Sequence, residues 1–213
     1  MPTGRRALLL GAIALPLPLR AAAPPDSPEG AALVARLRRG GAVLFLRHAD
    51  TAGEPCDSGF RIGERAGQRN ISAAGRAQAA ALGRSLATLG IPLALPVLCS
   101  PVFRARDTAE LAFGAEAVRV EEGLTADDYA GARLGWVLAE HRRLFSAPVP
   151  GGGNRVLVGH RGPVQMILGG LVHGTSLPEA GGLVLEPGGP EGFTPLGIIA
   201  LVPRIGDGNP ACG

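Results

Sequence analysis

Three short apolar runs, each closing on a polar turn, limit this chain's fold more than any other feature. Ala42 to Leu46 leads into Arg47-His48, Pro96 to Cys99 leads into Ser100-Pro101, and Arg155 to Val158 leads into Gly159-His160. Uninterrupted runs of this length read as strands buried on both faces. Helical patterns separate them. Ser72 caps a segment with Ala77, Leu82, Leu86 and Leu89 at helical spacing. Ser100 and Pro101 stand as N-cap and first residue of a helix carrying Val102, Ala105, Ala109 and Ala112, stopped by Gly114. Pro163 opens another, with Val164, Ile167, Leu168, Leu171 and Val172 as its stripe. Helices are also expected over Ala31–Arg39 and Leu134–Phe145, and strands over Ala117–Val120, Leu183–Leu185 and Leu196–Val202, the last two joined by a Gly/Pro turn. This alternation predicts an α/β three-layer sandwich, a mostly parallel central sheet with helices on both faces. Ligands of such sheets bind beyond the carboxyl ends of the strands.

The 213 residues suffice for one well-buried domain. Every one of the 21 basic residues is arginine. Without lysine, a Walker-type phosphate loop and Schiff-base catalysis are both excluded. The net charge of +3 suggests a polyanionic partner, but Arg5, Arg6 and Arg20 lie in an acid-free leader and the remaining chain is neutral. With six Phe, one Trp and one Tyr, that body is a poor nucleic-acid binder, and none is expected as a partner.

Residues 1–23 have a charged start, an apolar run from Ala7 to Leu19 and a small-residue end, which describe a secretory signal peptide. The run is short and broken by Pro16 and Pro18, so no transmembrane segment is expected in the mature form. Arg5-Arg6-Ala7-Leu8-Leu9 also resembles a bacterial twin-arginine signal. The expected location is therefore periplasmic or secreted. Residues 24–30 read as a linker, 31–205 as the folded domain and 206–213 as a tail. Of Cys56, Cys99 and Cys212, the first two could pair, and no zinc spacing is present.

Arg47-His48, Ser100 to Arg104 and Gly159-His160 all fall where the sheet places a ligand. Two arginines and two histidines converging there make a cationic pocket suited to phosphate oxygens. Phosphoryl transfer needs an in-line nucleophile and positive charge on the equatorial oxygens. Neighbouring arginines disfavour a protonated histidine, so a histidine here can be that nucleophile at neutral pH.

Leu46-Arg47-His48-Ala49-Asp50-Thr51 resembles the Arg-His-Gly/Ala signature of the histidine phosphatase superfamily, whose fold is phosphoglycerate mutase-like. Asn70 to Ala79, the Ser100 to Ala109 segment and Val156-Leu157-Val158-Gly159-His160 continue the likeness in family order, from about residue 42 to 172. The chain looks most like small bacterial exported members. The resemblance implies a phosphatase acting on a phosphomonoester or phosphoramidate, with His48 as the phosphorylated nucleophile. Arg47, Arg104 and His160 would bind the phosphoryl group, and no metal or cofactor is implied. Many relatives carry a proton donor as Leu-x-Glu after the third strand. Leu124-Thr125-Ala126 has alanine there, so Asp127 is the candidate acid, with Asp128, Glu121 and Glu122 behind it. The implied partner is a small phosphorylated substrate or a phosphorylated cell-envelope component.

Other readings stay open. His48, Asp50 and His160 offer ligand types for a metal-dependent hydrolase, and the missing Leu-x-Glu acid leaves room for a non-catalytic phosphate-binding protein. Arg61, Arg65 and Arg69 could line a lid or a solvated loop. Arg106 and Asp107 read as a solvated helix face or a brace for Arg104, and His141 and His173 as surface or helix-end histidines.

Overall fold

Strand β1 (Val43–Arg47) is buried at every position. Its side chains divide between two cores: Leu44 and Leu46 point into one, Val43 and Phe45 into the other. This division sets the layers of the computed structural model, which describes residues 21–53, 57, 59–172 and 176–205. One face carries α1 (Pro28–Arg38), α2 (Ala73–Thr88) and α3 (Phe103–Phe113). The other carries α5 (Leu134–Ser146) and α6 (Arg161–Leu168), with the single-turn α4 (Asp127–Ala130) leading into α5. The expected three-layer α/β sandwich is what forms.

A short pair, β2 (Thr51–Ala52) with β3 (Asn70–Ile71), closes the long loop after β1. The main sheet adds β4 (Leu93–Cys99), β5 (Val118–Val120), β6 (Asn154–Gly159), β7 (Gly182–Pro187) and β8 (Phe193–Ile199). Its order is β5-β4-β6-β1-β7-β8. All pairings are parallel except those of β7 with β1 and with β8, so β7 alone runs against the other five strands.

Local chemistry fixes how the helices meet the sheet. Ser72 caps α2 by accepting the Gly75 N–H at 2.8 Å. A β carbon on Gly75 would strike the Asp50 carbonyl, so glycine lets α2 approach the turn after His48. Asn154 is wholly buried and ties three segments: it accepts from the Ala42 N–H and donates to the Leu37 and Pro92 carbonyls.

Several boundaries differ from the sequence reading. Ser27, not a residue near Ala31, caps α1, so residues 27–30 of the expected linker belong to that helix, and Ala23, the last residue of the expected signal peptide, pairs with the edge strand at Ile199. Ser100 does not cap α3, which begins at Phe103 after Val102. Pro163 is the third residue of α6, whose N-cap is His160. β8 starts at Phe193 because the hairpin pairs it with Pro187, and Pro195 is tolerated on an edge strand. Cys99 is a free, buried thiol, which removes its bridge to Cys56. Cys56, Cys212, His173, residues 1–20 and the 206–213 tail lie outside the described residues, and among those described no helix is long and apolar enough to cross a membrane.

Candidate active site

The sheet register brings the predicted residues to one edge. β1 and β6 lie side by side with Arg47 opposite Gly159, and β4 flanks β6 with Cys99 opposite Val158. The residues that follow therefore emerge together. The His48 N–H bonds the Gly159 carbonyl at 3.0 Å, and the Ser100 N–H bonds that of Val158 at 2.9 Å. The His48 and His160 rings lie 5.5 Å apart between centroids. Arg104 enters from the first turn of α3. Thr108, one turn later, donates to the Arg104 carbonyl at 2.7 Å and accepts the Ala49 N–H at 2.9 Å, joining helix and β1 turn. Arg47, His48, Arg104 and His160 are all buried.

Hydrogen bonds give each imidazole a direction. His48 Nδ1 meets the Ala49 carbonyl at 2.8 Å. A carbonyl only accepts, so Nδ1 carries the proton and Nε2 keeps its lone pair. Burial, then the Arg47 and Arg104 guanidiniums, hold the His48 pKa well below its usual value, which keeps the ring neutral. Burial, Arg104 and His48 do the same to His160. His160 Nε2 lies 2.9 Å from Ser100 Oγ, which also accepts the Val102 N–H at 3.2 Å. Its Nδ1 is buried and has no hydrogen-bond partner among the described residues, as is true of Arg47 Nε and Arg104 Nε.

Charge at the site is dense. Burial, with Arg161, Arg69 and Arg104 nearby, brings the Arg47 pKa down to about 10. Three carboxylates answer the cations: Glu179 at 3.2 Å from Arg47, Asp57 at 2.7 Å from Arg104, and Asp128 at 3.6 Å from Arg104. Asp57 also accepts the Arg69 N–H. Buried nitrogens without partners among the described residues, beside guanidiniums, are chemically suited to a multiply charged oxyanion.

Among the candidate acids, the Asp127 carboxylate packs on the Cα of Gly162 in α6, a contact that any β carbon there would block. Asp128, with 39% of its side chain exposed, is the one that reaches Arg104; partial desolvation raises its pKa while Arg104 draws it down. Glu121 folds back onto the Gly123 N–H, and Glu122 is exposed. Of the three loop arginines, Arg61 pairs with Glu64 at the surface, Arg65 clamps Asp107 with two hydrogen bonds, and Arg69 joins the cationic cluster. Arg106 pairs with Glu110 within α3. His141 is not a surface residue: it is fully buried against Phe45 and Phe145, its Nδ1 on the Val137 carbonyl. Among the described residues no three His, Cys, Asp or Glu side chains gather as a metal site; Asp50 accepts from Ser72 Oγ instead.

Sequence reasoning missed Asp57, Glu179, Thr108 and the contact of Ser100 with His160. Only Ser100 gave a signal, as the first polar residue after a strand that neighbours β6, and that signal also fitted a helix cap.

Residues 43–131 match the histidine phosphatase superfamily (branch 1). No curated protein sequence matches the chain. Solved structures that resemble it include the protein histidine phosphatase SixA complexed with tungstate, at 18% identity and TM-score 0.48 over 75% of this chain and 97% of that one. The putative phosphohistidine phosphatase SixA from Agrobacterium tumefaciens is 20% identical, with TM-score 0.46 over 75% and 97% of the two chains. A mycobacterial glucosyl-3-phosphoglycerate phosphatase is 21% identical, with TM-score 0.45 over 73% and 96%. Over residues 43–131 this chain carries a domain of the histidine phosphatase superfamily.

Proposed function

We propose that the protein is a phosphatase that hydrolyses a phosphomonoester or phosphoramidate through a phosphohistidine on His48. The observation that carries this reading is the directed pair of histidines. His48 offers Nε2 as a neutral nucleophile, while Arg47 Nε and Arg104 Nε are buried donors and His160 Nδ1 a buried ring nitrogen, all with no partner in the described residues. In the first step the His48 Nε2 lone pair forms the N–P bond as the bond from phosphorus to the leaving group breaks. Arg47, Arg104 and the His160 Nδ1–H take the charge on the equatorial oxygens. The phosphoryl oxygens replace Asp57 as the partner of Arg104.

The leaving oxygen takes a proton from Asp128, the acid that stands 3.6 Å from Arg104 at the exposed rim of the site, its pKa raised by partial desolvation. That assigns to Asp128 the role expected of Asp127. In the second step water forms the new O–P bond, the N–P bond breaks, and the Asp128 carboxylate accepts the proton of the water. Phe60 stacks on Tyr129 at 3.7 Å between centroids, and the Arg104 guanidinium lies 5.5 Å from the Tyr129 ring. These rings wall the side on which the leaving group departs. The leader of residues 1–23 supports export, and with it a small phosphorylated solute or an envelope phosphate as substrate.

The test is phosphate release from p-nitrophenyl phosphate with and without chelator, beside His48→Ala. Turnover that resists chelator, stops in the variant and leaves an acid-labile phosphoryl group on His48 is the expected result. Phosphate binding without turnover identifies a binding protein instead, and chelator-sensitive turnover identifies a metal mechanism.

A further inference from the structure

The segment from Leu177 to Gly181 enters none of the chemistry above, yet it touches the Arg47-His48 pair four times. The Leu177 carbonyl accepts from Arg47 Nη1 at 3.1 Å, and the Glu179 carboxylate accepts from Arg47 Nη2 at 3.2 Å. The Ala180 N–H donates to the His48 carbonyl at 2.9 Å, and the Gly181 carbonyl accepts the Arg47 N–H at 3.0 Å. Ala180 makes its contact at φ +56°, the one positive φ outside glycine among the described residues. A side chain disfavours that region, so the surroundings hold the turn there. The shape of the turn sends Glu179 inward, where its side chain is only 4% exposed. A carboxylate rarely sits so deep without a dedicated cation, and here the cation is Arg47.

We propose that Glu179 is a positioning residue for the phosphoryl-transfer reaction, fixing the guanidinium of Arg47 so that its Nε–H faces the phosphoryl oxygens. The inference rests on the phosphatase reading and adds to it the group that sets the aim of Arg47. Leu177 and Glu179 occupy one hydrogen of each terminal nitrogen. Nε is left buried, with no partner among the described residues. Two anchored arms hold a planar fork in one orientation. With Glu179 lost, the fork rotates about its stem, and misplacement of about 1 Å in such a group costs up to about 100-fold in rate.

Glu179→Gln keeps the shape and removes the charge. The expected result is a kcat lower by roughly 10- to 100-fold, with inorganic phosphate bound at least as tightly as by wild type, because one competing anion has left the pocket. In an Arg47→Ala background the same change leaves kcat within about twofold, since a residue acting through Arg47 has nothing left to act on. An unchanged kcat in Glu179→Gln, an equal loss in both backgrounds, or a joint fall of kcat and phosphate affinity overturns the proposal. Should Glu179→Gln not fold, Glu179→Asp retains the charge and withdraws the carboxylate by one methylene. It is expected to lower kcat and leave phosphate affinity unchanged; a wild-type kcat there also overturns the proposal. Failure of the phosphatase reading looks different: wild type binds inorganic phosphate and turns over no phosphomonoester. In that case a Glu179→Gln effect on phosphate affinity that disappears in Arg47→Ala still upholds the coupling, and its persistence refutes it.

Discussion

Replacing Ser100 with alanine removes one oxygen and tests how His160 is held. Ser100 Oγ accepts the Val102 N–H at 3.2 Å and meets His160 Nε2 at 2.9 Å. If the hydroxyl donates to Nε2, the imidazole proton sits on Nδ1, the nitrogen that is buried and unpaired in the pocket. That is the tautomer able to donate to a phosphoryl oxygen. Alanine releases both the ring and its tautomer. Loss of such a supporting bond costs about 10- to 100-fold at the group it orients, or about 1.4–2.8 kcal/mol of transition-state stabilisation. The unpaired Val102 N–H adds about 1–3 kcal/mol of lost stability, which for a domain of this size lowers the Tm by several degrees. Steady-state kinetics on p-nitrophenyl phosphate give the first magnitude, and nitrogen NMR of the imidazoles reports the tautomer directly. A Ser100→Ala enzyme with kcat/KM within twofold of wild type, its His160 still protonated at Nδ1, refutes the reasoning.

The two aspartates separate by the same assay. Asp128→Asn should lower kcat by about 100-fold on substrates with poor leaving groups and much less on p-nitrophenyl phosphate, whereas Asp127→Asn should leave the ratio between the two substrates unchanged. Asp57→Asn frees Arg104 of a competing carboxylate, so phosphate inhibition should tighten by severalfold in a competition assay; weaker inhibition sinks the idea that substrate displaces Asp57. Stability should also fall with acidification. His48, His141 and His160 are buried with pKa values lowered by desolvation, so their contribution is complete above the unfolded value near 6.5 and is lost as pH falls through it. Each contributes a slope of about 1.4 kcal/mol per pH unit, offset in part by the raised carboxyls of Asp128 and Glu179. A Tm at pH 5.5 equal to that at pH 7.5 contradicts this. The Cys99 thiol, pushed up to about 12 by burial, should resist thiol reagents until the protein unfolds.

Legibility in the sequence follows how locally each part is encoded. Arg47, His48 and His160 were readable because each directly follows an apolar run, and a strand that ends in a parallel sheet delivers its next residues to the ligand edge whatever the rest of the chain does. Arg104 was readable for a related reason, lying in the first turn of a helix that follows β4. The carboxylates were less so, Asp128 alone having stood among the candidate acids, behind Asp127. Asp57 comes from a loop without periodicity, Glu179 from a turn far along the chain, and Asp128 from a single helical turn in which one residue of register decides between facing Gly162 and facing Arg104. His141 failed in the opposite way. Its charge type argued for the surface, while its place on α5, among Phe45 and Phe145, buried it as a neutral ring. The division has a physical logic. The cations of the site are set by strand ends, which are local, and the anions that tune and aim them are set by tertiary contacts over loops. Changes in loop sequence should therefore alter how this site handles a leaving group or releases phosphate long before they disturb where the phosphoryl group sits.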